Sequence, residues 1–327
     1  MKLQRLLLII AGIVLLLGGV GYLGVGVVVT NILMNVPGHC SSESNYYTNR
    51  PESFVKWDGT PLPQHAIEEP YTLVEFHPRG DETIRLNGWH ILANEDKATP
   101  TIIIVHGLGT CKKHPANLMT ANMLLDAGFN VFVPDLREHG DSQRLDGRFT
   151  AGIEEHLDPL GAYDWLVNEY GVPADKVGIM GFSLGAATSS MSFAKEPQLV
   201  ALWADSPFAN LPMTITYELR RLGFPTFLSG SSVLMARVLY GLDLNSANTE
   251  DAFGTQRNGR AVYLTHGTAD ERLSVDFTTR LTDIMHETDP SFEPWLVEDM
   301  GHVEAIWEFT DEYQSRLVTF FTQAFAS

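Results

Sequence analysis

Residues 177–185, which read VGIMGFSLG, constrain the fold of this 327-residue chain more than any other stretch. The apolar run up to Met180 predicts a buried strand, and the small residues after Gly185 predict a helix. A strand that turns into a helix so abruptly holds Ser183 in a strained conformation, and the flanking glycines leave room for the two backbones to pass. We therefore expect the Ser183 hydroxyl at the end of a sheet, beside the N-terminus of a helix.

Strands and helices alternate along much of the chain. Alternating apolar and polar residues at 71–77 and 84–92 predict an antiparallel pair at a sheet edge. The β-branched run TIIIV at 101–105 predicts a strand buried on both faces, as in parallel sheets. Further strands are expected at 130–133, 199–204, 261–265 and 294–297, and helices at 115–127, 154–170, 274–286 and 303–325. This order predicts an α/β fold with a mostly parallel central sheet and helices on both faces.

The alternation of strands and helices is interrupted at 208–258. This stretch has apolar patterns typical of helices at 213–222 and 231–242. We expect a helical cap insertion over the carboxyl ends of the strands, where ligands bind in such sheets. Its apolar side chains could pack on the domain below or line an acyl-binding pocket, and both readings stay open. The predicted organisation is an N-terminal membrane anchor at 1–36, a spacer at 37–70, and one domain at 71–327 that contains the cap.

The N-terminal segment has no charged residue from 6 to 29. That length can cross a bilayer, which needs about 20 apolar residues, and it exceeds the ~7–15 residue core of a cleaved signal peptide. Lys2 and Arg5 precede the run, so the positive-inside rule places the N-terminus in the cytoplasm and the rest of the chain outside it. We expect a single-pass membrane protein, and a cleaved signal peptide is the alternative.

Net charge, histidine spacing and cysteine content limit the classes of ligand and partner that the chain can be expected to bind. A net charge of −18 disfavours a basic face, so no nucleic-acid partner is expected. The eleven histidines show neither HxxxH nor HExxH spacing, so no metal site and no cofactor are expected. Cys40 and Cys111 form no CxxC pair; a single bridge between them stays open, and Cys111 is interpreted as a small packing residue.

Serine is a poor nucleophile unless a histidine takes its proton and an acid orients that histidine. After a strand-turn-helix serine of this kind, the acid comes next in the chain and the histidine last. Asp270 follows the strand predicted at 261–265, and His302 follows the last predicted strand. We predict Ser183 as nucleophile, His302 as general base and Asp270 as orienting acid. Asp205, one strand earlier, is the alternative acid.

Acyl transfer also needs two N–H groups directed at the developing oxyanion. The residue after the serine, Leu184, supplies one of them. The glycine-rich turn HGLG at 106–109 follows the 101–105 strand and supplies the other, which we assign to Leu108. His106 in this turn and His266 near Asp270 are interpreted as structural residues.

Residues 71–325 resemble the α/β-hydrolase fold superfamily, in particular membrane-anchored serine hydrolases of the bud-emergence and prolyl-oligopeptidase-like type. The resemblance rests on LNGW at 86–89, HGLG at 106–109, PDLREHGDS at 134–142, GFSLG at 181–185, DSP at 205–207, HGTAD at 266–270 and GH at 301–302. Glu138 stands where such sequences commonly carry glycine, and we interpret this departure as structural. The resemblance implies hydrolysis of an ester, thioester or amide, and it does not fix the substrate.

These features predict a membrane-anchored serine hydrolase that cleaves a small-molecule ester or a lipid, as a carboxylesterase or a lysophospholipase-like enzyme would. The membrane anchor and the apolar insertion favour the ester. A serine peptidase or amidase of the same fold is one alternative. A non-catalytic, membrane-tethered binding module is the other, and the complete Ser183, Asp270 and His302 set argues against it.

Overall fold

A computed structural model describes residues 2–36, 40 and 44–326 of the chain. Residues 37–39 and 41–43 of the predicted spacer lie outside the described residues. The chain separates into two compact units. The larger unit comprises Val36–Ala209 and the chain from Asn248 onwards, and the smaller unit comprises the N-terminal helix and Asn210–Ala247.

The larger unit is built on one eight-stranded sheet with the order β1-β2-β4-β3-β5-β6-β7-β8. Strands β1 and β2 pair antiparallel, β2 and β4 pair antiparallel, and all later neighbours pair parallel. The predicted mostly parallel sheet with an antiparallel edge is therefore confirmed. The strands are β1 (Tyr71–Phe76), β2 (Leu86–Ile91), β3 (Thr101–Val105), β4 (Asn130–Asp135), β5 (Val177–Phe182), β6 (Ala201–Asp205), β7 (Ala261–Gly267) and β8 (Trp295–Val297).

The α-helices of the described residues follow the predicted pattern, with differences at their ends. They are α1 (Lys2–Met34), α2 (Pro115–Asp126), α3 (Leu157–Asp164), α4 (Leu184–Lys195), α5 (Leu211–Arg221), α6 (Ser229–Tyr240), α7 (Glu250–Phe253), α8 (Asp276–His286), α9 (Ala305–Glu308) and α10 (Thr310–Ala326). Helices α2 and α10 pack together in one layer, and α3 and α4 pack together in another. Both layers contact the central strands, as an α/β sheet requires.

The central strands are buried because their side chains are apolar on both faces. Every residue of β3 and of β5 is buried. On β6, Trp203 stacks on Tyr263 of β7 with 3.9 Å between ring centres, and its indole N–H donates to the Tyr313 hydroxyl of α10. Each large apolar side chain buried in this way contributes about 1.5–3 kcal/mol relative to an exposed one.

Two predicted helices differ from the observed ones at their boundaries. The helix expected from 154 begins at Leu157, because the Glu155 carboxylate accepts hydrogen bonds from the backbone N–H groups of Thr150 and Gly152 and holds a turn there. The helix expected at 303–325 is interrupted between α9 and α10. At this break the Thr310 hydroxyl donates to the carbonyls of Ile306 and Trp307. In both places a local side-chain hydrogen bond competes with the helical pattern.

The segment at 44–70 contributes to the core of the larger unit. Phe54, Leu62 and Ile67 are buried in the same apolar cluster as the residues of α2. A disulfide joins Cys40 to Cys111, directly after the HGLG turn. The interpretation of Cys111 as a small packing residue is therefore wrong. Spacing could not reveal this pair, because the pairing depends on tertiary packing between residues 71 positions apart.

The smaller unit is helical. Helix α1 contains Leu7–Met34, which is long and apolar enough to cross a membrane, and the segment is a candidate membrane span or signal sequence. Helices α5 and α6 form the part that lies between β6 and β7 in the chain. Asn210 caps α5 by accepting a hydrogen bond from the N–H of Met213, and Gly241 ends α6 in a left-handed conformation.

Candidate active site

Ser183 occupies the sharp turn between β5 and α4. Its backbone angles are φ 57° and ψ −121°, a region that L-residues rarely adopt. The surrounding structure holds this strain, because the Ser183 N–H donates to the carbonyl of Asp205 at 2.8 Å. A Cβ at Gly181 would overlap the backbone of Gly185, and a Cβ at Gly185 would overlap the backbone of Val105. Both glycines of the GFSLG motif are therefore required by close backbone packing.

Two backbone N–H groups lie beside this serine. Leu184 is the first residue of α4, so its N–H has no partner within the helix. In the turn after β3, a Cβ built on Gly107 would lie 3.3 Å from the carbonyl oxygen of Phe182 and 3.4 Å from the Ser183 Cβ. Within the described part of the chain, neither Leu108 nor Leu184 donates its N–H to a protein acceptor. These two donors are therefore available to a ligand oxygen.

The loops after β7 and β8 bring Asp270 and His302 into contact. His302 Nδ1 donates to Asp270 Oδ2 at 2.6 Å. The Asp270 carboxylate is fully buried, whereas the His302 ring is 24% exposed and can meet a ligand. With Nδ1 engaged, the Nε2 atom of His302 is left as the proton acceptor.

Asp270 is held as a carboxylate by four donors. Oδ1 accepts from the backbone N–H groups of Arg272 and Leu273, each at 2.8 Å. Oδ2 accepts from His302 and lies 3.1 Å from Nε2 of His266. Burial by itself raises the pKa of the Asp270 carboxyl, but the hydrogen bonds from the two histidines outweigh it and hold the pKa well below its ordinary value.

The contribution of His266 goes beyond the strand-end packing expected of it. Its Nε2 lies 3.0 Å from the carbonyl of Leu273 as well as facing Asp270, and its Nδ1 lies 2.7 Å from the Thr278 hydroxyl. One donor and one acceptor satisfy these contacts in the neutral ring. The sequence signal that could have predicted this contact is the spacing of His266 and Asp270, which are four residues apart at the end of β7.

The Asp205 carboxylate has hydrogen-bond partners other than His302. Its carboxylate accepts from the Tyr313 hydroxyl and from the Ser206 hydroxyl, both at 2.9 Å. Burial raises the pKa of Asp205 to about 6. This acid therefore belongs to a buried network at the end of β6, and Asp270 is the acid in contact with the histidine.

Ser183 and His302 line the same pocket, which has a volume of about 450 Å³. The serine and the histidine are not hydrogen-bonded to each other in the described structure. In enzymes, hydrogen bonds between a nucleophile and its base often tighten only when substrate is present. Aromatic and apolar side chains form much of the remaining wall. They are Trp57, Leu108, Phe182, Val303 and Trp307.

The aromatic wall of the pocket is itself organised. Trp57 and Trp307 meet edge to face with 4.7 Å between ring centres. The Lys56 ammonium lies 5.4 Å from the first ring centre and 4.9 Å from the second. An ammonium over two indole faces is a favourable cation–π arrangement and orders both rings. Sequence reasoning missed both tryptophans, because Trp57 lies in a loop and Trp307 in the four-residue helix α9, and neither segment carries a motif.

Ion pairs and hydrogen bonds of Lys112 and His106 hold the HGLG turn and the residues that follow it. The Lys112 ammonium contacts the carboxylates of Asp135 and Asp141, the latter at 2.7 Å. His106 Nε2 accepts a hydrogen bond from the N–H of Leu136, and burial lowers the pKa of His106 so that the ring stays neutral and can accept it. His106 is therefore structural, as interpreted from the sequence.

Glu138, the departure from the usual glycine, has φ 65° and its carboxylate accepts from the N–H groups of Leu145, Asp146 and Gly147. Three charge-assisted hydrogen bonds compensate the strain that glycine would avoid. The departure is structural, in agreement with the interpretation from the sequence.

Parts of the chain are similar to a family model and to a protein of known sequence, and most of it is similar to solved structures. Residues 100–251 match the model of a family described as alpha/beta hydrolase fold. YitV of Bacillus subtilis (strain 168), a protein named for a candidate esterase activity, is 27% identical over 109 residues, which are 31% of this chain and 42% of YitV. The match therefore spans less than half of that relative's length.

Solved structures resemble most of the chain. The esterase Pf2001 of Pyrococcus furiosus is 23% identical with a TM-score of 0.62, over 84% of this chain and 97% of that one. Dipeptidyl peptidase 4 of Porphyromonas gingivalis is 17% identical with a TM-score of 0.58, over 78% of this chain and 35% of that one. At these identities the likeness concerns the fold. The family match, the strand order and these neighbours together show that the chain has the α/β-hydrolase fold.

Proposed function

We propose that this chain is a serine hydrolase that cleaves an ester through an acyl-enzyme on Ser183. The observation that carries the proposal is the meeting of three features at one pocket. They are a serine in a strained strand-to-helix turn, a partly exposed histidine oriented by a buried carboxylate, and two unpaired N–H groups beside the serine. Each feature costs stability or restricts the backbone, and their coincidence is expected of a catalytic site.

In the proposed reaction, Nε2 of His302 takes the Ser183 hydroxyl proton as Oγ forms a bond to the substrate carbonyl carbon. The carbonyl π electrons move to oxygen, and the N–H groups of Leu108 and Leu184 stabilise the resulting oxyanion. Asp270 stabilises the imidazolium without taking its proton. When the intermediate collapses, the bond to the leaving oxygen breaks and His302 protonates the leaving alcohol.

Water completes the cycle. His302, neutral again, takes a proton from a water molecule as the water oxygen attacks the acyl carbon. A second oxyanion forms at the same two N–H groups. Its collapse breaks the bond to Ser183 Oγ, His302 returns the proton to the serine, and the carboxylic acid leaves. This chemistry needs no cofactor.

An ester is favoured over an amide by the pocket. The aromatic and apolar part of its wall suits an acyl chain or a hydrophobic alcohol. Esterases are among the structural neighbours. A peptidase or amidase would need a feature that selects a peptide terminus, and the charged side chains on the pocket wall are Arg272 and Glu304. The Glu304 carboxylate already accepts a hydrogen bond from the N–H of Gly301, and the peptidase neighbour shares only the fold.

The compartment proposed for the site is extracytoplasmic, with α1 as a single membrane span. Two observations support it. Lys2 and Arg5 precede the apolar helix, which favours a cytoplasmic N-terminus. The Cys40–Cys111 disulfide is of a kind that persists in oxidising compartments and is rare in a reducing cytosol. Protease protection of right-side-out and inverted vesicles would test the orientation, and degradation of the larger unit only in inverted vesicles would contradict it.

The decisive experiment compares wild type, Ser183→Ala and Ser190→Ala on a panel of nitrophenyl esters, lysophospholipids and peptide amides. Ser190 is the matched control, because it lies on α4 and its hydroxyl donates to the carbonyl of Ala186. We expect Ser183→Ala alone to abolish both hydrolysis and labelling by a fluorophosphonate. Labelling that survives in Ser183→Ala would overturn the assigned nucleophile, and turnover of amides without esters would favour the peptidase.

A further inference from the structure

The smaller unit carries an apolar surface that the hydrolase site does not explain. Leu222, Phe224 and Phe227, in the turn between α5 and α6, are 59%, 55% and 68% exposed. On α6 the exposed apolar residues are Leu234, Val238 and Leu239. Apolar groups gathered on one segment of a soluble surface mark a contact with another apolar phase or molecule.

This surface is joined to the apolar N-terminal helix. Phe227 stacks on Tyr22 of α1 with 6.3 Å between ring centres, and the Tyr22 hydroxyl lies 3.3 Å from the Phe227 carbonyl oxygen. Farther along α1, the Thr30 hydroxyl donates to the Ser232 carbonyl, and Asn31 accepts from the Tyr240 hydroxyl at 2.6 Å. Helix α6 therefore lies along the C-terminal part of α1.

Close packing fixes this arrangement at Gly26 of α1. A Cβ at that position would overlap the carbonyl group of Ser231 and would lie 2.9 Å from the Met235 side chain. The glycine lets the two helices approach at the backbone, which is how small residues act at helix interfaces in membranes. The close contact at Gly26 thus fixes the position of α6 along the axis of α1.

The depth of this contact relative to the bilayer can be estimated from the length of α1. Its apolar stretch Leu7–Met34 has 28 residues, whereas about 20 residues cross the hydrocarbon core of a bilayer. If the hydrocarbon begins just after Arg5, it ends close to Gly26. Tyr22 then lies near the far membrane interface, where tyrosine and tryptophan are enriched, and Phe227 lies beside it.

The charges of residues 210–247, the part of the smaller unit that contains α5 and α6, also suit a membrane surface. Residues 210–247 contain Arg220, Arg221 and Arg237 against Glu218 and Asp243, a net charge of +1 in a chain whose net charge is −18. Arg220 and Arg221 directly precede the exposed Leu222 and Phe224. Cationic groups beside apolar ones are typical of segments that lie at the headgroup boundary of anionic bilayers.

We propose that residues 222–239, the turn after α5 together with α6, dock on the lipid bilayer that α1 spans, with Phe224 and Phe227 inserted at its interface. The occupant is the membrane itself, because the surface is continuous with the candidate span and belongs to a segment of net charge +1 in a chain of net charge −18. This inference rests on the proposed span of α1 and is independent of the chemistry at Ser183.

The test uses the full chain in proteoliposomes that contain anionic lipid. Both native cysteines are in the disulfide, so single introduced cysteines can carry an environment-sensitive fluorophore. The variants are Phe227→Cys and Phe224→Cys in the proposed surface, Leu15→Cys in the middle of α1, and Leu73→Cys as a matched control. Leu73 is apolar and 60% exposed on the sheet edge.

Lipids carrying a quencher near the headgroup or near the bilayer centre report depth. An interfacial side chain lies about 5–10 Å below the headgroups, so we expect positions 224 and 227 to be quenched most by the shallow quencher. Position 15 should be quenched most by the deep one, and position 73 by neither. Ester hydrolysis, measured in the same vesicles, should be unchanged by all four substitutions.

The outcomes separate the proposals. Quenching at 15 without quenching at 224 and 227 would overturn the docking and leave the span intact. No quenching at any position would overturn both. Emission from 227 that is shifted to the blue, unquenched by lipid and dependent on protein concentration would replace the membrane with a second copy of the chain. If wild type hydrolyses no ester in these vesicles, the proposed chemistry at Ser183 is contradicted, whereas the proposed docking is unaffected.

Discussion

Asp270 and His302 lie in two different strand-end loops, 32 residues apart in sequence, and their side chains meet in a 2.6 Å hydrogen bond. The loops can meet because β7 and β8 are parallel neighbours, so their carboxyl ends open onto the same edge of the sheet. The acid is buried and the histidine is partly exposed. This arrangement fixes one imidazole nitrogen and leaves the other to act on a ligand.

Replacing Asp270 tests its role as the orienting acid. In Asp270→Asn the amide N–H would face Nδ1 of His302 and favour the tautomer whose Nε2 carries a proton, which cannot accept one from serine. We expect kcat for a nitrophenyl ester to fall by about 10⁴, the size of effect seen when a triad acid is replaced in this way. Asp205→Asn is the control and should keep kcat within about tenfold, because its carboxylate contacts Tyr313 and Ser206 instead. The opposite ranking of the two variants would make Asp205 the acid.

The pH dependence of stability reports on Asp205. Burial raises its pKa from 3.8 to about 6. The folded chain therefore keeps a proton that the unfolded chain releases above about pH 4. The stability linked to this proton is fully present below about pH 4 and is lost as the pH rises through about 6.

We therefore expect wild type to lose stability between about pH 4 and 7 relative to Asp205→Asn, by roughly 2–3 kcal/mol, since one pKa unit corresponds to about 1.4 kcal/mol. Chemical unfolding followed at both pH values in detergent measures the difference. Identical pH dependence in the two proteins would show that Asp205 is ionised in the folded state.

The aromatic wall of the pocket predicts a substrate effect. Trp307 packs against Trp57 under the Lys56 ammonium and lines the pocket with Ser183. In Trp307→Ala we expect KM for an apolar ester to rise about tenfold, equivalent to about 1.4 kcal/mol of lost contact, with a smaller change in kcat. Phe309→Ala is the control, because Phe309 is 39% exposed and does not line the pocket. A fall in kcat at constant KM would instead place the indole near the reacting atoms.

The sheet could be predicted because its signals are local. The runs that became β3 and β5 are apolar at consecutive positions, and the Gly181 and Gly185 pair around Ser183 restricts the backbone without reference to the rest of the chain. The contacts that sequence reasoning missed are not local. Each joins a loop residue to a partner that tertiary packing selects, as for Asp270 with His266 of β7 and for Trp57 with Trp307 of α9.

The same limit applies to residues 44–70. They belong to the stretch 37–70, whose polar composition and prolines predict a spacer, yet Phe54 and Ile67 are buried in the core of the larger unit. Isolated apolar residues in a loop carry no periodicity, so only the folded structure shows which of them are buried.

The disulfide gives a prediction for both stability and compartment. Cys40 and Cys111 are separated by 71 residues, and a cross-link over such a loop stabilises the folded state by about 4 kcal/mol in the chain-entropy account. We expect the Cys40→Ser, Cys111→Ser double variant to lose about this free energy of unfolding, and wild type treated with dithiothreitol to match it. In membranes isolated with a thiol-blocking reagent, wild type should migrate faster on a gel without reductant than with it, whereas the double variant should migrate identically in both. Free thiols at both positions in freshly isolated membranes would contradict the proposed extracytoplasmic location, because the larger unit would then face a reducing compartment.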